Sequence, residues 1–254
     1  MQLNYVEAGE GKPLILLHGL FGAARNWGAI QKALAPHYRV IAMDLRNHGA
    51  SPHADGMGYA AQAADVAETM AMLGVQSAAI LGHSMGGKVA MMLALTEPAR
   101  VERLIVADIA PRPYPPGLRP TVAAMQAIAL KPELTRRDAE EALKAAVPEA
   151  PVRGFLLQNL RFDTAPPSWR IGLAEIAAAM PEIEGFQPPA HATFKGPSLA
   201  LAGALSPYIR PEDEPVFRAL FPHMGFVSIA KAGHWLHAEN PGDFLAALQT
   251  FLKD

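Results

Sequence analysis

The 254-residue chain contains no cysteine, and this excludes a disulfide framework, a zinc–thiolate site and thiol catalysis. A surplus of positive charge is also missing, because the net charge is -2 and no basic stripe is present. A nucleic-acid partner is therefore not expected. No run of about 18 or more uncharged apolar residues occurs, and no basic segment followed by an apolar one opens the chain, so we expect neither a membrane span nor a secretory signal. These absences favour a cytoplasmic protein and leave its oligomeric state open.

What the chain does have is an ordinary globular composition, with 50% hydrophobic and 18% charged residues. Short apolar runs alternate with helical patterns, and this alternation predicts an α/β fold with a mostly parallel sheet flanked by helices. The turn at 9–12 is expected to join two short strands as a hairpin. The predicted strands are 14–17, 39–43, 78–81, 104–107, 198–202 and 226–229, and the predicted helices are 59–73, 86–95, 212–220 and 241–252.

The middle of the chain has a different composition. Residues 111–189 contain 13 of the 23 prolines among alanine-rich helical patches, and no clear strand is predicted there. We interpret residues 112–190 as a helical cap inserted into a core formed by residues 1–111 and 191–254.

The sequence Gly-His-Ser-Met-Gly at 82–86 follows a predicted strand and precedes a predicted helix. This placement is typical of a nucleophile elbow, in which Ser84 stands on a sharp turn flanked by small residues. The same stretch opens a competing pattern, because Gly82 to Lys88 matches the start of a phosphate-binding loop. A phosphate-binding loop needs Ser or Thr after the lysine, and this chain has Val89, so nucleotide binding is disfavoured.

A serine nucleophile needs a base, and in this architecture the base follows it in the chain. His234, in Ala-Gly-His-Trp-Leu-His, lies between the last predicted strand and the last helix, where such sites are built. His237 is expected to point away from the site. His18 and His83 are expected to support backbone turns.

The acid has more than one candidate. Its commonest place is the loop after the penultimate strand, where this chain has Ser206. Glu212 and Asp213 follow, but we expect them in the first turn of a helix, where carboxylates favour the dipole. Asp108 stands at the carboxyl end of the predicted strand 104–107, next to the nucleophile strand, and it is the predicted acid.

An oxyanion hole needs two amides at one point. Met85, directly after the nucleophile, supplies the first. The loop Leu-His-Gly-Leu-Phe-Gly at 17–22 supplies the second, with Leu20 preferred and Phe21 as the neighbouring alternative.

Several motifs in one order resemble the α/β-hydrolase superfamily and, within it, the YbfF-type esterases. They are His-Gly-Leu-Phe-Gly (18–22), Asp-Leu-Arg-Asn-His-Gly (44–49), Gly-His-Ser-Met-Gly-Gly-Lys (82–88), Ala-Asp-Ile-Ala-Pro (107–111), Leu-Leu-Gln-Asn-Leu (156–160), Ser-Pro-Tyr (206–208) and Ala-Gly-His-Trp-Leu-His (232–237). The resemblance implies cofactor-free serine hydrolysis of carboxylic esters or thioesters, an acid at Asp108 and a helical cap. One departure is Gly172, where an Asn is usual.

Substrate is expected to be a small-molecule ester or thioester that meets apolar residues of the cap. The candidates are Phe155, Leu156 and Trp169, together with Phe21. Lys88 is expected to pair with a carboxylate and Arg46 to bond backbone carbonyls. The alternative function is a small-molecule receptor on the same fold with little turnover.

Overall fold

A computed structural model describes residues 1–253. Seven strands form one sheet in the order β1-β3-β2-β4-β5-β8-β9, and β1 alone is antiparallel to its neighbour. The strands are β1 (Tyr5–Ala8), β2 (Lys12–Leu17), β3 (Tyr38–Met43), β4 (Ala78–His83), β5 (Val101–Ala107), β6 (Leu160–Arg161), β7 (Ser168–Trp169), β8 (Ser198–Gly203) and β9 (Met224–Ile229).

Helices cover both faces of this sheet. They are α1 (Gly28–Leu34), α2 (Tyr59–Met72), α3 (Met85–Thr96), α4 (Arg119–Gln126), α5 (Arg136–Leu143), α6 (Ala150–Leu156), α7 (Leu173–Ala178), α8 (Met180–Glu184), α9 (Glu214–Leu220), α10 (Leu236–Glu239) and α11 (Pro241–Lys253). Apolar side chains of the central strands alternate between two core clusters, one on each face. The predicted α/β architecture is therefore confirmed, with strands that start up to three residues earlier than expected.

Two expectations about local structure were wrong. Residues 9–12 do not close a hairpin, because β1 pairs with β3 and β2 runs parallel to β3. The turn instead packs on the link before β3, where a Cβ at Gly9 would lie 2.2 Å from the Ala35 carbonyl oxygen. The segment expected to lack strands contains β6 and β7, which pair over two residues each. Strands this short show no alternation that a sequence pattern could reveal.

The segment between β5 and β8 carries five helices, α4 to α8, and the β6–β7 pair. It contacts the nucleophile helix through the side chain of Lys88 in α3. The Lys88 ammonium donates to the carbonyls of Gly185 (2.7 Å) and Glu184 (3.4 Å), just after α8. The expected carboxylate partner of Lys88 was therefore wrong, because backbone carbonyls take its place.

Arg46 bonds backbone carbonyls as expected, at Gly56 and Ala61. It also forms a buried ion pair with Asp65, with 2.6 Å between Nε and Oδ2. Because all four of these groups lie between β3 and the middle of α2, Arg46 fixes the long connection that follows β3.

Candidate active site

Ser84 stands on the sharp turn between β4 and α3, with φ 52° and ψ -120°. Positive φ is uncommon for a residue with a side chain, and such outliers cluster at functional sites. The turn leaves no room at its flanks. A Cβ at Gly82 would lie 2.1 Å from the Gly86 carbonyl oxygen, and one at Gly86 would lie 2.5 Å from that of Leu17. The two glycines of the motif are therefore required by space.

His234 lies in the loop between β9 and α10 and connects Ser84 to Asp108. Its Nε2 is 3.0 Å from the Ser84 hydroxyl oxygen, and its Nδ1 is 2.7 Å from Asp108 Oδ2. An Nδ1–H that donates to the carboxylate leaves Nε2 as the acceptor for the serine proton. The structure thus brings together the three residues that the sequence singled out as nucleophile, base and acid.

Asp108 directly follows β5, is fully buried and has φ 54°. Its carboxylate accepts hydrogen bonds from the Gly203 amide (3.0 Å), from the Ser206 hydroxyl and from His234. Ser206, found where an acid is commonest, is thus a donor to the acid on the neighbouring strand. Three donors compensate the burial of this charge.

Glu212 and Asp213 lie away from this network. They fall in the 3-10 turn at Pro211–Asp213 before α9, as expected for carboxylates in a first turn. Asp213 is buried and pairs with Arg112, with 2.6 Å between Oδ1 and Nε.

Two amides next to Ser84 remain available for a bound oxygen. The Phe21 amide donates to His48 Nε2 (3.0 Å) and the Gly22 amide to the Gly19 carbonyl (2.9 Å). Among residues 1–253, the Leu20 and Met85 amides take part in none of the hydrogen bonds that tie this loop and the start of α3 together. A Cβ at Gly19 would lie 3.2 Å from Ser84 Cβ, so the loop passes directly beside the serine. Phe21 is thereby excluded as the amide donor, and Leu20 stays available.

Buried histidines support the loops around the serine. His18 Nε2 accepts from the Leu45 amide (2.9 Å), and His83 Nε2 donates to the carbonyl of His234 (2.7 Å). Burial lowers the pKa of both rings, which favours their neutral forms. Both residues therefore hold backbone turns, as expected.

Two further histidines have places that the sequence did not indicate. His48, which bonds the Phe21 amide, had no assigned role, and no pattern signalled one. His237 was expected to point away, yet it lines a cavity beside Ser84 and lies 4.6 Å from Trp27 between ring centroids. Burial lowers the pKa of His237 to about 4. Because residues 236–239 form the short helix α10, the His237 side chain turns back towards the site. No pattern in the sequence predicted this helix.

Two cavities, of about 240 and 370 Å³, meet at Ser84. The smaller, called the first cavity, has mainly apolar walls that include Phe21, Phe155 and Leu156. The larger, called the second cavity, has Lys88 and Arg112 in its wall. Both are bounded by the same four residues, which are Leu20, Ser84, Leu118 and Tyr208.

Trp169 was expected at the substrate and is not there. It lies in β7, packs against the larger core cluster and lines neither cavity. Gly172, three residues later, donates its amide to the Asn47 carbonyl (2.9 Å). A Cβ at Gly172 would lie 3.0 Å from Asn47 Oδ1, so Asn47 occupies the space beside it.

Residues 1–253 lack the features of two other kinds of site. No group of three or more His, Asp or Glu side chains is arranged there to hold a metal ion. None of the helices in that range is both long and apolar enough to cross a membrane.

Comparisons with known proteins agree with this geometry. A family model described as the alpha/beta hydrolase fold matches residues 12–241. The sn-1-specific diacylglycerol lipase ABHD11 of Xenopus laevis is 42% identical over 251 residues, which are 96% of this chain and 80% of that protein. Esterase YbfF of Escherichia coli is 34% identical over 247 residues, covering 96% of this chain and 94% of its own.

Among solved structures, a marine microorganism esterase superposes with a TM-score of 0.94 at 37% identity, covering 98% of this chain and 99% of its own. The match spans both the sheet and the helical segment. The chain therefore belongs to the α/β-hydrolase family and, within it, to the YbfF-like esterases, and it is a carboxylesterase.

Proposed function

We propose that the protein is a serine hydrolase that cleaves carboxylic esters of small acyl groups through an acyl-enzyme intermediate. The observation that carries this proposal is the unbroken hydrogen-bond chain from Ser84 through His234 to buried Asp108. This arrangement of a nucleophile, a base and an orienting acid is recognised by its geometry, whatever the fold.

The chemistry follows from the two nitrogens of His234. As Ser84 Oγ attacks the ester carbonyl, Nε2 takes the hydroxyl proton and later gives it to the leaving alcohol. Asp108 accepts from Nδ1–H throughout, so it keeps the ring in the required tautomer and stabilises the imidazolium. In the second half of the reaction, Nε2 takes a proton from a water molecule as that water attacks the acyl-enzyme carbonyl. The carboxylic acid is released, and Ser84 recovers its proton from Nε2.

The tetrahedral intermediate places a negative charge on the former carbonyl oxygen. The amides of Leu20 and Met85 are the donors that we assign to this oxygen, and the second is also the first amide of α3. Fixed donors at the point of developing charge are worth about 10²–10³ in kcat for each amide.

The helical segment 112–190 serves in this proposal as a cap over the serine. It contributes Phe155 and Leu156 to the first cavity and Arg112 and Tyr114 to the second. An ester bond at Ser84 would have one half in each cavity. The apolar first cavity suits an unbranched hydrocarbon group, and a thioester fits the same chemistry because a thiol is a good leaving group.

A fluorophosphonate probe tests the first step. We expect stoichiometric labelling of Ser84 in the folded wild type, no labelling of Ser84→Ala, and a loss of about 10⁴–10⁶ in turnover of p-nitrophenyl butyrate by that variant. Ser228→Ala, at an exposed position of β9 that lines neither cavity, is the matched control and should keep both labelling and turnover. Labelling that persists in Ser84→Ala would refute the proposal.

The substrate class is tested with matched ester and thioester pairs of increasing acyl length. We expect kcat/KM to rise with chain length until the first cavity is full and then to fall. A profile independent of acyl length would contradict the assignment of this cavity to a hydrocarbon group.

A further inference from the structure

Tyr208 makes the closest aromatic contact with His234. The two ring centroids are 4.0 Å apart and the planes are inclined by 24°, which is a stacked arrangement. The other rings beside this imidazole lie farther away and at steeper angles, at 4.7 Å and 44° for His83 and at 6.1 Å and 58° for Trp235. Tyr208 is therefore the residue that covers one face of His234.

The contact with Tyr208 restrains a motion of the His234 ring that its two hydrogen bonds leave free. The bonds to Ser84 and Asp108 lie in the plane of the imidazole, and they leave the ring free to tilt about the line that joins its two nitrogens. A ring stacked on the face opposes that tilt. The negative face of an aromatic ring also favours a cation beside it, here the imidazolium that forms when Nε2 takes the serine proton.

Tyr208 is itself anchored to the segment that carries the acid. Its amide donates to Ser206 Oγ (3.2 Å), and its carbonyl accepts from the Tyr114 hydroxyl (2.5 Å). That hydroxyl also accepts from the Ala110 amide (2.8 Å), two residues after Asp108. The position of the tyrosine ring is thereby tied to the position of the carboxylate.

The ring face of Tyr208, and not its hydroxyl, makes the contact that restrains His234 and favours its imidazolium. The Tyr208 hydroxyl has no hydrogen-bond partner among residues 1–253, and burial raises the pKa of this phenol, so the ring is neutral. Besides Asp108, and Glu239, whose carboxylate accepts from the amides of Gly233 and Trp235 on either side of His234, the titratable groups near this ring are His83 and His237. The last two have lowered pKa values and are uncharged near neutral pH.

We infer that Tyr208 is a positioning residue that holds His234 against tilting and stabilises its protonated form. This inference rests on the proposed function, since it assigns Tyr208 a part in the proton transfer from Ser84. The Tyr208 side chain also lies at the boundary of the two cavities and lines both of them.

The test compares Tyr208→Phe with Tyr208→Leu in the full-length protein. Tyr208→Gln is a second non-aromatic variant, because a polar side chain suits this half-exposed position. We expect Tyr208→Phe to keep kcat within about twofold, because the ring face is unchanged. We expect both non-aromatic variants to lose about 10-fold in kcat, the effect of about 1.4 kcal/mol at a transition state. The acid limb of their kcat/KM–pH profiles should move to lower pH, because the imidazolium loses its stacked partner.

The outcomes separate this inference from the proposed function. The role of Tyr208 alone would be overturned if a folded non-aromatic variant kept wild-type kcat and an unmoved acid limb. In that case fluorophosphonate would still label Ser84 in the wild type. A change confined to KM would also overturn it, since that result describes a wall of the cavity. Absence of labelling in the wild type would overturn the proposed function instead.

Discussion

At the scale of single residues, the site depends on backbone conformations that most side chains avoid. Ser84, Asp108 and Phe21 all have φ between 52° and 63°. Each one directly follows a β-strand or lies in the loop after it, so the strained residues are those that the sheet presents at one edge. Such strain persists only where surrounding contacts fix it, as the three donors to Asp108 do.

The identity of the acid is the first prediction at this scale. We expect Asp108→Asn to reduce kcat by about 10⁴, because an amide at this position favours the wrong tautomer of His234. Asp213→Asn is the matched control, since it removes a buried carboxylate that bonds Arg112 and not His234. Steady-state kinetics with p-nitrophenyl butyrate measures both. A severe loss in Asp213→Asn with activity retained in Asp108→Asn would reverse the assignment.

The loop beside Ser84 supplies a second prediction. A methyl group at Gly19 would lie 3.0 Å from His83 Nδ1 and 3.2 Å from Ser84 Cβ, so Gly19→Ala crowds both side chains and pushes the loop and Ser84 apart by a few tenths of an ångström. We expect kcat to fall about 10- to 100-fold, because the Leu20 amide moves away from the oxyanion position. Gly28→Ala, at the open start of α1, has nothing within 4 Å of the new methyl group and should keep wild-type kcat. Equal activity of the two variants would contradict the role of the loop.

The site was more predictable from sequence than its walls were. Ser84, Asp108 and His234 could be found because each follows a strand of a parallel sheet, and the carboxyl ends of such strands share one edge. Trp169 could not be placed, since two-residue strands leave no periodic signal. Lys88 was mistaken for half of an ion pair because the carbonyls that bind it are nearly 100 residues away.

At the scale of elements, α3 both starts at the serine and holds the helical segment. The ammonium of Lys88, one turn after Ser84, bonds the carbonyls of Glu184 and Gly185 and lies 4.9 and 5.4 Å from the ring centroids of Tyr114 and Tyr59. Burial and the nearby Arg112 guanidinium lower the pKa of Lys88 to about 7. The buried amine of Lys88 is thus one of the groups that join the sheet to the helical segment, beside the bonds from Tyr59 to Ile183 and from Asn159 to Phe21.

Replacing this amine should loosen the junction. We expect Lys88→Met to raise KM for esters about threefold to tenfold with a smaller change in kcat, because the hydrogen bond to Gly185 is worth about 1 kcal/mol or more. Amide exchange in α8 should become faster in the same variant. Lys144→Met is the control, since that lysine is exposed and pairs only with Glu141. Unchanged KM and unchanged exchange in α8 would show that the junction does not depend on Lys88.

At the scale of the whole molecule, the protein buries several neutral histidines, and this makes its stability depend on pH. His48 is fully buried, accepts the Phe21 amide at Nε2, and faces the Arg46 carbonyl at 2.8 Å with Nδ1. Burial is the main cause that lowers the pKa of His48 to about 3, and the neighbouring His18 ring lowers this pKa further. The unfolded chain takes up a proton near pH 6.5, whereas the folded protein resists it.

A lowered pKa in the folded state means that stability is present above pH 6.5 and lost as the pH falls towards 3. His48→Gln keeps an acceptor in the place of Nε2 but does not titrate. We expect the free energy of unfolding of the wild type, relative to this variant, to be about 2 kcal/mol smaller at pH 4.5 than at pH 7.5. Urea unfolding at the two pH values measures this difference. A difference that does not change with pH would show that His48 binds a proton as readily in the folded protein as in the unfolded chain, which would refute this effect.

The position of the acid on β5 has a consequence for how such a chain can vary. The nucleophile, the acid and both amides that we assign to the oxyanion lie before residue 109, ahead of the helical segment, whereas His234 and its partner Tyr208 follow that segment. Exchange of residues 112–190 for another insertion would therefore alter which molecules are admitted while leaving Ser84, Asp108 and both amides in place. Part of the wall that selects substrate is thus encoded between the acid and the base, in a stretch of chain that holds neither the nucleophile nor the acid.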